Sequence, residues 1–285
     1  MPDVAPRTLV DGLAFSEGPR WHDGRLWFSD MHFHRVQAVD LDGNVETICE
    51  LDGDPSGLGF LPDGRLLVVS MFDRKLLRLE PDGSLVVHAD LWDLASWHCN
   101  DMVVDETGRA YVGNFGFDLH GPDQPPTVAP AEIVIVEPDG SARLGAADML
   151  FPNGSVITPD GTLIVGQSVG RDLVAFDREA DGSLSNRRQW ADLGGLVPDG
   201  ICLDAEGAVW IAEPREGGCH RIAEGGEVLD VVETGRPAFA CMLGGPERRH
   251  LFMCTADDSH PDRTTDPATG RIEVVEVAVP GAGRP

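Results

Sequence analysis

Four polar residues stand at matching places in this chain. They are Glu17 in Ser16-Glu17-Gly18-Pro19, Asn100 in His98-Cys99-Asn100-Asp101, Asn153 in Phe151-Pro152-Asn153-Gly154 and Asp199 in Val197-Pro198-Asp199-Gly200. Each is followed soon afterwards by a glycine-containing turn and a short apolar run. Where repeats are arranged radially, equivalent positions converge on one axis. Four oxygen-bearing side chains meeting there, two of them carboxylates, make a site for a hard cation, because such ions take oxygen ligands and negative charge.

The elements that must bring these residues together repeat along the chain. A turn followed by an apolar strand appears as Asp23-Gly24-Arg25-Leu26-Trp27-Phe28 and Asp63-Gly64-Arg65-Leu66-Leu67-Val68. It returns as Thr107-Gly108-Arg109-Ala110-Tyr111-Val112, Asp160-Gly161-Thr162-Leu163-Ile164-Val165 and Glu206-Gly207-Ala208-Val209-Trp210-Ile211. A sixth copy, Glu247-Arg248-Arg249-His250-Leu251-Phe252-Met253, lacks the glycine. The glycines at 24, 64, 108, 161 and 207 are 40, 44, 53 and 46 residues apart, a period that suits four-stranded propeller blades.

A second glycine turn falls midway in most units, as Asp42-Gly43, Asp82-Gly83, Asp139-Gly140, Asp181-Gly182 and Gly225-Gly226. Asp-Gly between apolar runs predicts a hairpin in which both central residues take positive φ. No segment keeps an apolar period of 3.6 residues, so an all-β six-bladed propeller is expected, one domain over residues 1–285. Thr8-Leu9-Val10 should pair with Arg271–Val275 and close the ring without leaving an edge. The longest step holds an insertion at about 115–130, rich in glycine and proline, which is expected to lie over the ring's mouth as a lid.

Charge excludes several partners. With 48 acidic and 22 basic residues the net charge is -26, which argues against nucleic acid and against an anionic membrane surface. No apolar stretch is long enough for a membrane span, and no secretory signal is visible. The six cysteines are scattered without a Cys-x-x-Cys pair, which predicts reduced thiols and a cytoplasmic location. There is no Gly-x-Ser-x-Gly elbow, no Gly-x-Gly-x-x-Gly and no phosphate loop, so neither serine-hydrolase chemistry nor a nucleotide cofactor is expected.

In this order and spacing, the four polar motifs together with Ala240-Cys241-Met242-Leu243-Gly244-Gly245-Pro246 resemble the senescence-marker-protein (regucalcin), gluconolactonase and luciferin-regenerating-enzyme family over nearly the whole chain. The resemblance implies a divalent metal held by Glu17, Asn153 and Asp199, with Asn100 as a further ligand or a substrate contact. It also implies that Asp199 is the general base and that the reaction opens a lactone through a metal-activated water. Oxygen ligands favour Ca²⁺, with Mn²⁺, Mg²⁺ or Zn²⁺ as alternatives. The partner expected is a small-molecule lactone or ester, the protein being a monomer or a small homo-oligomer.

Around that set, His98 stands where sugar-lactone members of the family often carry an arginine; it can share the proton transfer or donate a hydrogen bond but cannot offer arginine's fork. His98, Asn100, Asp101 and Phe115 are the expected substrate contacts, with Asp101 as a brace for the loop and Trp97, Phe115 and Phe117 as an apolar wall. His32 and His34 alternate along what reads as an extended segment and would share a face. Glu213 and Arg215 are candidates for the rim, and Gln167-Ser168 follows the strand after Asn153. Two other functions fit the same chain: an esterase or phosphotriesterase-like hydrolase of less polar substrates, and a non-catalytic calcium-binding propeller.

Overall fold

A computed structural model describes residues 5–122 and 125–283. The chain forms six sheets of four antiparallel strands each, arranged as blades of a propeller. The inner strands are Ser16–His22, Pro55–Phe60, Cys99–Val104, Pro152–Ile157, Ile201–Leu203 and Ala238–Gly244. Each touches its neighbour in that order, and the last touches the first. Burial follows this placement. The inner strand Ala238–Gly244 is buried at every position, whereas the outer strand Val228–Val232 is almost wholly exposed.

Inner strands pack backbone to backbone, and glycine is what permits it. A Cβ on Gly57 would lie 2.6 Å from the Met102 nitrogen, and one on Gly200 would lie 2.6 Å from the Ala240 Cβ. These glycines each follow the residue that faces the axis, so the side chains at the axis and the close approach beside them belong to one repeating frame.

The ring closes in the sixth blade. Its order is Ala238–Gly244, His250–Thr255, Gly270–Glu276 and then Arg7–Leu13, with Arg7 opposite Val274 and Val10 opposite Ile272. The N-terminal strand is therefore the outermost one of a blade otherwise built from the end of the chain.

The hairpins lie where the glycine turns predict, but most have another geometry. Both residues take positive φ at Asp23-Gly24, at 48° and 76°, and at Gly225-Gly226, at 93° and 104°. At Gly43, Gly83, Gly140 and Gly182 the glycine alone is left-handed. The Gly83 nitrogen donates to the Glu80 carbonyl while the Glu80 nitrogen donates to Ser84, a longer loop ending in a left-handed residue. The aspartate keeps right-handed geometry because its carboxylate accepts the nitrogen two residues on, as Asp82 does from Ser84 and Asp139 from Ser141.

A second correction concerns His32 and His34. Met31–Phe33 is a turn of 3-10 helix and His34 is left-handed at φ 54°, so the segment is not extended and the two rings part. A four-residue helix, Pro261–Thr264, breaks the all-strand pattern; His260 caps it by accepting from the Asp262 nitrogen, and proline occupies its first turn. No helix among the described residues is long and apolar enough to cross a membrane.

Substituting Gly57 by alanine should cost about 1–3 kcal/mol in urea unfolding, because the new methyl meets backbone that cannot turn aside. Gly64→Ala, at an open turn with nothing within 4 Å but φ +86°, should cost about 1–2 kcal/mol through backbone strain alone.

Candidate metal centre and cavity

Six equivalent positions stand at or just before the start of each inner strand: Glu17, Ser56, Asn100, Asn153, Asp199 and Phe239. Four are the residues singled out from the sequence. Ser56 and Phe239 were not, although Ser56-Gly57 repeats the frame of Glu17-Gly18 and Asp199-Gly200 and could have been found by aligning the units. Five of the six line a cavity of about 440 Å³ at the open end of the ring, all but Ser56.

The polar members hold one another. The Asn153 side-chain nitrogen donates to Asp199 Oδ1 at 2.5 Å and to Ser168 Oγ at 3.1 Å. Ser168 in turn donates to the Pro198 carbonyl at 2.7 Å, which ties the Asn153 blade to the loop carrying Asp199. With its amide nitrogen committed on that side, Asn153 has its oxygen available for a cation. The Ser56 hydroxyl donates to Asn100 Oδ1 at 3.2 Å, and the Gly18 nitrogen donates to Glu17 Oε2 at 3.0 Å.

Like charges crowd this floor. Burial pushes the Glu17 carboxyl well above its usual range, and the neighbouring Asp199 pushes it further. Desolvation raises Asp199 to about 8 against the pull of its Asn153 hydrogen bond, with Asp101 and Glu213 adding to the rise. Arg20, whose charge acts on Glu17, aims its nitrogens elsewhere: at Asp101 Oδ1 (2.8 Å), the Met102 carbonyl (2.5 Å) and the Pro19 carbonyl (2.8 Å). Two carboxylates without a cation of their own, backed by amide oxygens, fit a hard divalent ion. Among the described residues no group of three or more His, Cys, Asp or Glu is placed to hold a metal; the cavity instead presents two carboxylates, Glu17 and Asp199, beside two amides, Asn100 and Asn153.

The other expected contacts divide. His98 and Phe115 line the cavity. His98 lies between Phe72 and Trp97, with ring centroids 4.5 and 4.9 Å away, and burial together with Arg74 lowers its pKa, so it is neutral at neutral pH. Asp101 is not on the cavity wall. Its carboxylate accepts from buried Arg20 and from the Met102 nitrogen, an ion pair that braces the inner strand of the third blade against the first. Trp97 and Phe117 are likewise off the wall, whereas Arg215 and Ser168 are on it. Glu213 is buried and accepts from the nitrogens of Val197 and Arg215, holding the loop before Asp199.

From the insertion expected as a lid, Phe115, Asp118, Leu119 and His120 reach the cavity; residues 123 and 124 lie outside the described residues. The segment around Pro261–Thr264 meets it from the other side, with the His120 and His260 rings 5.1 Å apart. His32 also faces the cavity, stacked on Phe15 at 5.1 Å with its Nδ1 2.8 Å from Thr264 Oγ1. Burial, and then His120, His34 and His260, lower its pKa to about 4. His34 instead pairs with Asp54 at 2.7 Å.

Residues 15–257 match the SMP-30/Gluconolactonase/LRE-like region, and the chain belongs to that family. The pentonolactonase of Haloferax volcanii is 27% identical over 96% of this chain and 95% of its own length. The structure of a gluconolactonase from Xanthomonas campestris has a TM-score of 0.75 at 26% identity, covering 96% of this chain and 89% of that one. A calcium-binding protein, regucalcin, from Agrobacterium tumefaciens has a TM-score of 0.82 at 24% identity, covering 99% and 96%, a likeness of fold.

The raised carboxyls predict how the metal-free protein responds to pH. Asp199 binds its proton up to about pH 8 when folded but only to about its ordinary 3.8 when unfolded, so its contribution to stability is full below pH 4 and is lost as pH rises through 8. Glu17 acts in the same direction. Urea titrations of chelator-stripped protein should show stability falling between pH 4 and 8 by at most about 1.4 kcal/mol per pH unit for one proton, relative to Asp199→Asn. A matching slope in the variant would remove Asp199 as the cause.

Proposed function

We propose that this member of the SMP-30/gluconolactonase/LRE-like family is a divalent-metal-dependent lactonase, with Glu17, Asn153 and Asp199 holding the ion and Asn100 beside them. What supports the reading most is the pair of acidic side chains, Glu17 and Asp199, set on the axis at the floor of the cavity and lacking a cation of their own. The lactonases among its relatives point the same way. When bound, a divalent cation supplies positive charge that polarises the ring carbonyl and makes a neighbouring water more acidic.

The chain's own groups do the rest. Asp199 has Oδ1 fixed by Asn153, so Oδ2 is the oxygen that takes a proton from the attacking water. The water oxygen bonds to the carbonyl carbon, and the ring C–O bond breaks. The proton held by Asp199 passes to the departing ring oxygen, which leaves a hydroxy acid. His98, neutral and on the same wall, is the second group able to carry the proton. Asn100, with one lone pair of its amide oxygen engaged by Ser56, orients the substrate or completes the ligand set. All six cysteines are free thiols, which fits a reducing cytoplasm.

Proton release from a panel of lactones tests this reading, after chelation and then with Ca²⁺, Mn²⁺, Mg²⁺ and Zn²⁺ restored in turn. Ring opening should vanish on chelation and return with at least one ion. Asp199→Asn should lower kcat by about 10²–10⁴-fold with the thermal transition retained, the range for loss of a general base; an active variant would assign the proton transfer elsewhere. Glu17→Gln should weaken cation binding measured by calorimetry, and unchanged affinity would take Glu17 out of the ligand set. A protein stabilised by calcium but inert towards every lactone and ester would instead be a binding propeller.

A further inference from the structure

The geometry points to a lactone bearing an apolar alkyl or aryl substituent as the substrate class of this cavity, an inference that rests on the lactonase reading above. Around the axial carboxylates the cavity is lined by aromatic rings on two opposite sides. Phe15 and Phe239, from the first and sixth blades, meet edge to face with centroids 4.7 Å apart. Across the axis, Phe115 and Phe151, from the third and fourth blades, meet the same way at 4.6 Å. Met31 and Met71, both nearly buried, fill the wall of the first and second blades between the two pairs.

Phe151 adds an independent observation. It has φ +59°, in the left-handed region that bulky side chains avoid. Pro152 and Asn153 follow it directly, so the strained backbone carries the aromatic ring next to a proposed metal ligand. Strain of this kind persists where the surroundings over-determine it, and it clusters at functional sites.

Several polar groups that could hold a sugar's hydroxyls are engaged or peripheral, leaving His98 and the Asn100 amide nitrogen on the wall. Asp54 is paired with His34, Ser168 donates to the Pro198 carbonyl, and His32 Nδ1 contacts Thr264. Asp118, His120 and Arg215 are exposed and mark the mouth. A hydroxyl pressed against the phenyl faces would lose its water without gaining a partner, whereas an alkyl or aryl group gains by leaving water. The cavity volume of about 440 Å³ lies in the range that takes ligands larger than a bare five-membered ring.

The test is a series of γ-lactones with lengthening n-alkyl chains, beside glucono-δ-lactone, on metal-restored protein. Binding of the matching γ-lactams, which resist ring opening, is measured by calorimetry on the same samples. We expect kcat/KM to rise about fourfold per methylene until the cavity fills, to exceed that of glucono-δ-lactone, and lactam affinity to rise in step. Phe115→Ser, in a half-buried loop position, should flatten both slopes. Glucono-δ-lactone ahead of the series, or no dependence on chain length, overturns the inference and leaves the lactonase standing. Lactam affinity that rises with chain length while nothing is hydrolysed supports the apolar site and sinks the lactonase. Neither turnover nor chain-dependent binding sinks both.

Discussion

Glu17 and Asp199 bring like charge into one desolvated place, and the fold holds them there. Among the described residues neither carboxylate has an arginine hydrogen-bonded to it. Arg20 lies close enough to act on Glu17, yet its guanidinium is locked onto Asp101 and two backbone carbonyls. The Asn153 amide and the Gly18 nitrogen are neutral donors, which orient the acids without cancelling them. The result is a floor that must take up either protons or a cation, and that choice is what the surrounding blades are built to present.

Presentation depends on register. Each inner strand offers one side chain to the axis at the same step, and the inner backbones approach so closely that Gly57 and Gly200 admit no methyl. A slip of one residue in any blade would turn its axial group into the sheet. The buried Arg20–Asp101 pair, linking the first and third blades beneath the cavity, fixes two of these registers at once. Aromatic rings line the same cavity as the polar residues, so one cavity offers both charged and apolar groups.

Much of this was legible in the chain. The six copies of a turn followed by an apolar strand, five of them with glycine, gave the number of blades, and the frame of a polar residue set just ahead of a turn and strand pointed to Glu17, Asn100, Asn153 and Asp199. The hidden parts are those where local chemistry competes with the repeat. Asp82 and Asp139 cap the nitrogen two residues on, which draws the hairpins into a longer form than Asp-Gly alone suggests. The 3-10 turn at Met31–Phe33 separates His32 from His34 although their alternation reads as a strand. Phe239 shares the axial position without sharing its polarity, so a search for polar residues passes over it. Asp101, adjacent to Asn100 in sequence, points away because a strand alternates its faces, and no motif marks Arg20 as its partner.

The ring's closure sets a timetable for synthesis. Arg7–Leu13 leaves the ribosome long before Gly270–Glu276, the strand with which it pairs. Until then the first blade's inner strand, which carries Glu17, has no sixth-blade neighbour to pack against, so the nascent chain can stack blades one to five and still lack a finished axis. Native contacts that span the whole chain form slowly, and an unpaired first strand is an edge that another chain could occupy meanwhile. The same seven residues that seal the folded ring therefore make its assembly wait for a strand synthesised after the other five blades.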